Sequence, residues 1–98
     1  MAAVNRGYYT FYYAICALLF TEGVYTKTHK GAIIQYNQLF VKNSRFPTYT
    51  SQWISDAFAL RQAGDYDFDI EIEEEKAQEI LRRAEQFIRL VEDYIATL

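Results

Sequence analysis

The segment Arg61–Ala77, RQAGDYDFDIEIEEEKA, decides the fold class. From Asp65 to Glu73 acidic and apolar side chains alternate strictly, and a period of two is the mark of a half-buried β-strand. A lone strand, however, has nothing to pair with in a chain whose other segments read as helices, and an isolated edge is not stable. A calcium loop beginning at Asp65 fails as well. Asp65, Asp67 and Asp69 fit the early ligand positions, but Ile70 stands where the loop needs glycine and Lys76 where it needs a bidentate glutamate. The stretch is therefore expected to connect two helices, with Tyr66, Phe68, Ile70 and Ile72 turned toward a bundle and the carboxylates in water. Seven acids within residues 65–75 repel one another and keep such a connection extended.

Helical periodicity surrounds it. Downstream, Ala77, Ile80, Ala84, Phe87, Val91, Tyr94 and Leu98 recur at steps of three and four, widened by Leu81, Ile88 and Ile95. Glu73, Glu74 and Glu75 precede that stripe, where carboxylates meet the positive end of the helix dipole. Upstream, a helix is expected over about 48–63, with Trp53, Ala57 and Leu60 on one face, Ile54 and Phe58 beside it, Thr50 or Ser51 as cap and Gly64 as stop. Another follows Thr28, its predicted cap, through Ala32, Ile33, Tyr36, Leu39 and Phe40 to about Val41. The first helix is read over about 3–22, stopped by Gly23. The resulting fold class is all-α: an antiparallel up-and-down bundle of about four helices forming a single domain over 1–98.

The first helix is unusual. Gly7–Phe20, GYYTFYYAICALLF, is broken only by Thr10 and is apolar nearly all round. At 14 residues it is too short to span a bilayer, which takes about 20. No signal-peptide pattern flanks it, so a cytosolic protein with no membrane contact is expected. Such a helix needs neighbours on several sides, and a second copy or another protein is expected to cover part of it. Cys16, the lone cysteine, lies in this run and reads as a buried, inert thiol.

Charge is divided along the chain. Residues 23–55 contain Lys27, Lys30, Lys42, Arg45 and His29 with no acid, whereas residues 56–98 hold twelve acids against five bases. The basic part is interleaved with Tyr25, Tyr36, Phe40, Phe46, Tyr49 and Trp53, and cations among aromatic rings can hold phosphates and stack bases. His29 and Lys30 in a first helical turn sit where the dipole disfavours cations, which points to phosphate contact there; the alternative is that His29 packs or is simply solvated. Arg61 has two readings: a phosphate ligand, or a cation that meets the end of its helix or pairs with Asp65 at the start of the connection. The sequence implies neither a metal nor a cofactor.

Three motifs in order, VNRGYYTFYYAICALLFTEGVYTKTHKGAI (4–33) with QLFVK (38–42), LRQAGDYD (60–67) and the long final helix, resemble the HEPN domain family (higher eukaryotes and prokaryotes nucleotide-binding). The resemblance covers nearly the whole chain. It implies a homodimeric helical bundle, a small nucleotidyltransferase as partner and a toxin–antitoxin-like setting. It also implies a further helix ahead of the aromatic one, whereas here only six residues precede Gly7. Members that are metal-independent ribonucleases carry an Arg followed after four to six residues by a His. Here Tyr66, Asp67 and Phe68 stand at those distances from Arg61, and the chain's only histidine is His29. A tyrosine of ordinary pKa, ~10, is a poor base at neutral pH. The expected site is thus a nucleotide or RNA phosphate site of Arg61, Asp65, Tyr66, Lys27, His29 and Lys30, with no assigned catalytic residue. Two alternatives stand beside it: a ribonuclease using Arg61 with Tyr66 or His29, and a purely structural subunit.

Overall fold

A computed structural model of the chain describes residues 2–66 and 74–98. Four α-helices make up the bundle: α1 (Ala2–Thr21), α2 (His29–Tyr36), α3 (Tyr49–Tyr66) and α4 (Glu74–Ala96). α2 runs on without a break into a π-helical segment, Asn37–Val41. Among the described residues there is no strand, so the all-α expectation holds. Most of the alternating stretch, 67–73, and with it the test of the calcium-loop and strand readings, lies outside the described residues. Its first two members, Asp65 and Tyr66, are the last two residues of α3.

The core forms between α1 and α4. On α1, Val4, Tyr8, Phe11, Ile15 and Leu18 are buried at alternating steps of four and three. On α4 the buried residues are Ile80, Ala84, Phe87 and Val91, the heart of the stripe read from the sequence. Each large side chain taken from water here contributes roughly 1.5–3 kcal/mol. Phe11 and Phe87 meet with ring centroids 5.4 Å apart. The two helices approach closely at Gly7, where a Cβ would lie 2.7 Å from Ile80 Cγ2, so any larger residue must displace Ile80. Leu98, the last member of the stripe, lies beyond the end of α4 and is exposed, because no helix is left there to turn it inward.

Residue pairs fix the directions. Gly7 meets Ile80, Phe11 meets Phe87, and Arg45 bridges Glu22 and Tyr94, so α1 and α4 run the same way. α3 runs opposite to both: Tyr8 packs on Phe58 and Tyr9 on Arg61, while Arg83 reaches back to Asp56 and Trp53. The up-and-down alternation is carried by α1, α3 and α4. The connection after α1 returns along it, which sets His29 against Tyr8 and Tyr12, and α2 then runs with α1 and α4 until Phe40 meets Tyr94.

The helix ends have local causes. Gly23 has φ +70°, Gly23 N–H donates to the Phe20 carbonyl and Val24 N–H to that of Leu19. This is a Schellman stop, as the glycine predicts. Thr28 caps α2 by accepting from Gly31 N–H at 2.9 Å. Two expectations on α3 are corrected. The helix passes through Gly64 and ends at Tyr66. Thr50 is inside it, not capping it: its hydroxyl donates to the Pro47 carbonyl at 2.7 Å and accepts from the buried Tyr36 hydroxyl at 2.7 Å. A buried hydroxyl has to be satisfied, and this pair outranks the cap. No described helix is long and apolar enough to cross a membrane.

Candidate functional site

The first half of α1 places two tyrosine pairs, Tyr8–Tyr9 and Tyr12–Tyr13, one turn apart. Tyr8 faces the core, Tyr9 and Tyr12 are half-buried, and Tyr13 is 66% exposed. Arg61 approaches from the C-terminal part of α3. Its guanidinium carbon lies 4.9 Å from the Tyr8 ring centre and 5.2 Å from that of Tyr9, and Nη2 donates to the Tyr9 hydroxyl at 3.0 Å. Two aromatic faces and a hydroxyl thus fix the cation; a single cation–π contact of this kind contributes about 0.5–2 kcal/mol.

His29, the first residue of α2, comes in from the other side. Nδ1 lies 2.7 Å from the Tyr8 hydroxyl, and the ring sits 4.1 Å from that of Tyr12 and 6.1 Å, edge to face, from that of Tyr9. Tyr8 therefore carries Arg61 against its ring and His29 on its hydroxyl. Its burial pushes its pKa up to about 12, with the Arg61 charge pulling the other way, so the phenol stays protonated at neutral pH. It can donate to Nδ1 of a neutral imidazole or accept from Nδ1–H, and in the second case the Nε2 lone pair is available to take a proton. Tyr12 is raised as well, first through its hydrogen bond with Cys16 and then through burial.

The remaining candidates divide. Asp65 and Tyr66 are on the turn of α3 that follows Arg61, and their side chains, including any Arg61–Asp65 pair, lie outside the described residues. Lys30 is exposed and lines a groove between α2 and α3 with Phe58 and Gln62, next to the cluster. Lys27 is exposed on the connection before α2 and joins none of the described contacts. The fold thus brings Arg61 and His29 together, with Lys30 alongside. Tyr8, Tyr9 and Tyr12 were not singled out in the sequence because they read only as core; the signal was the repeated Tyr-Tyr doublet one helical turn apart.

The site belongs to an all-α helical-bundle domain with a cation and an imidazole gathered on tyrosines. The chain is a member of the HEPN domain family, which matches it over residues 1–94. It is 32% identical over 93 residues to the "Putative toxin MJ0142" of Methanocaldococcus jannaschii, an alignment covering 95% of this chain and 63% of that protein. It is 34% identical over 97 residues to a "UPF0332 protein" of Thermotoga maritima, covering 99% of this chain and 74% of the relative. A third relative, from Gloeobacter violaceus, is 26% identical over 95 residues, 96% of this chain and 75% of its own. The chain thus spans between three fifths and three quarters of the curated relatives it matches. No solved structure matches it.

Proposed function

We propose that this chain is the phosphate-recognising HEPN module of a toxin–antitoxin-like pair, binding a nucleotide or an RNA backbone and working with a small nucleotidyltransferase. The observation that supports this reading is the convergence of Arg61 and His29 on Tyr8. A guanidinium presents several N–H donors in one plane and suits phosphate oxygens, and an imidazole beside it adds a second donor. Lys30, in the first turn of α2, adds positive charge where the helix dipole already favours an anion. The relative that bears the name of a toxin supports the setting. Tyr13 and Phe20, each 66% exposed and seven residues apart on one face of α1, support the view that a second copy covers that face in a cytoplasmic homodimer.

A second reading is favoured by the same contact. In a metal-independent ribonuclease His29 would exchange the proton, oriented by Tyr8, while Arg61 stabilises charge developing on the phosphate. His29 is better suited than Tyr66 because a neutral imidazole carries both an N–H donor and a lone-pair acceptor on its two ring nitrogens.

The test uses the purified chain and a short single-stranded RNA, with anisotropy reporting binding and gel analysis reporting cleavage, in the presence of a chelator. The module reading expects binding that weakens with salt, about tenfold loss in Arg61→Ala, and co-purification with a small nucleotidyltransferase. Cleavage that disappears in both Arg61→Ala and His29→Ala favours the enzyme. RNA binding unchanged in Arg61→Ala, His29→Ala and Lys27→Ala leaves a structural subunit.

A further inference from the structure

We infer that the groove between α2 and α3 is a pocket for one amino-bearing nucleobase of the ligand whose phosphate Arg61 and His29 hold; the inference rests on the phosphate-binding reading above. The groove encloses about 460 Å³. Sites of this size with apolar walls and a few polar groups are typical of small-molecule pockets. Ile33 and Phe58 supply apolar wall, Ser55 and Gln62 supply polar groups, and Lys30 contributes the one cation among the described residues of its lining. It adjoins the cluster directly: the Phe58 ring packs 5.9 Å from that of Tyr8, Gln62 follows Arg61 in the chain, and Lys30 follows His29.

Asn37 supplies the specific element. It lines the same groove at the point where α2 changes from α- to π-helical hydrogen bonding, and its own N–H is shared between the carbonyls of Ile33 and Ile34. Single π turns inside helices recur at functional sites. The Asn37 Oδ1 is closed off from solvent, and among the described residues no donor reaches it. A buried amide oxygen without a donor is unfavourable, and a ligand N–H offered as the side chain rotates toward the groove would relieve it. A nucleobase combines what the groove asks for: a flat ring for Phe58, an amino group for Asn37, and a phosphate tethered within reach of Lys30 and Arg61. Reading a splayed base by stacking and edge hydrogen bonds is how proteins generally recognise unpaired nucleotides.

The test is a methyl and imidazole NMR titration of the full chain with adenosine, purine riboside (which lacks the amino group) and inorganic phosphate in turn. We expect adenosine to shift the Ile33 methyl signals and phosphate to shift the His29 ring signals. Purine riboside should bind about tenfold more weakly than adenosine, the scale of one hydrogen-bonded group. Ser55→Trp, which fills the groove from an exposed position, should abolish the adenosine shifts and leave the phosphate shifts in place. If phosphate moves His29 but adenosine leaves Ile33 unmoved, or purine riboside equals adenosine, the base pocket is overturned and the phosphate site survives. If adenosine moves Ile33 but phosphate leaves His29 unmoved, the phosphate reading fails and the linked pocket fails with it.

Discussion

The hydroxyl of Tyr8 lies 2.7 Å from Nδ1 of His29, joining α1 to the start of α2 across 21 positions of sequence. The same Tyr8 ring lies under the guanidinium of Arg61, from α3. One buried phenol thus links three helices.

Replacing Tyr8 by Phe keeps the ring under Arg61 and removes only the bond to His29. The fold should survive with a loss of about 1 kcal/mol, the net worth of one hydrogen bond, read from denaturant unfolding. The His29 ring signals should shift in NMR, and any RNA cleavage should fall while RNA binding through Arg61 is largely kept. Cleavage equal to wild type would detach His29 from the chemistry.

Alkaline pH should unfold the protein through its buried phenols. Tyr8 is raised from 10.0 to about 12 by burial, and burial raises Tyr36 further in the same direction. A folded pKa above the unfolded one means that the neutral form is favoured by folding. The stabilising contribution is complete below pH 10.0 and is lost as the pH climbs through the folded value of about 12 for Tyr8. Thermal melts should therefore be flat with respect to these groups up to about pH 10 and fall steeply above it, and Tyr8→Phe should soften the fall.

Gly7→Ala should destabilise the bundle although alanine is the better helix former. The added Cβ would stand 2.7 Å from Ile80 Cγ2. Overpacking costs about 1–3 kcal/mol, against a propensity gain of about 1, so a net loss of roughly 1 kcal/mol is expected. Ile80→Leu removes the opposing methyl, and the double variant should be more stable than the sum of the two single changes. Calorimetric melting of the four proteins in the cycle reads this directly.

Thr50→Val should cost more than Tyr36→Phe. The first leaves the buried Tyr36 hydroxyl without a partner, for about 1–3 kcal/mol, while the Pro47 carbonyl keeps the Thr50 N–H; the second leaves Thr50 its bond to Pro47 and costs about 1 kcal/mol. Chemical denaturation of both variants gives the order, and a reversed order would mean that the pair is not closed to water.

Arg61→Lys should fail to restore RNA binding lost in Arg61→Ala. A lysine keeps the charge but offers no planar fork to lie on two tyrosine rings while reaching a hydroxyl. Anisotropy titrations at two salt concentrations separate this geometric loss from simple charge removal.

Local pattern by itself determined the four helices, the Gly23 stop, the Thr28 cap and the core face of α4, because these depend on periodicity and on groups within a few residues of one another. It misplaced the end of α3, since a glycine stops a helix only where the backbone leaves the helical region, and α3 continues through Gly64. The basic turn and Arg61 were legible as candidates, and the resemblance carried by the ordered motifs pointed to the family. Only the tertiary structure decided that His29 and Arg61 share one tyrosine. The return of the chain along α1 and the crossing of α3 over it set residues 29 and 61 beside residue 8. That juxtaposition comes from the packing of three helices around an aromatic core, and no spacing along the chain encodes it.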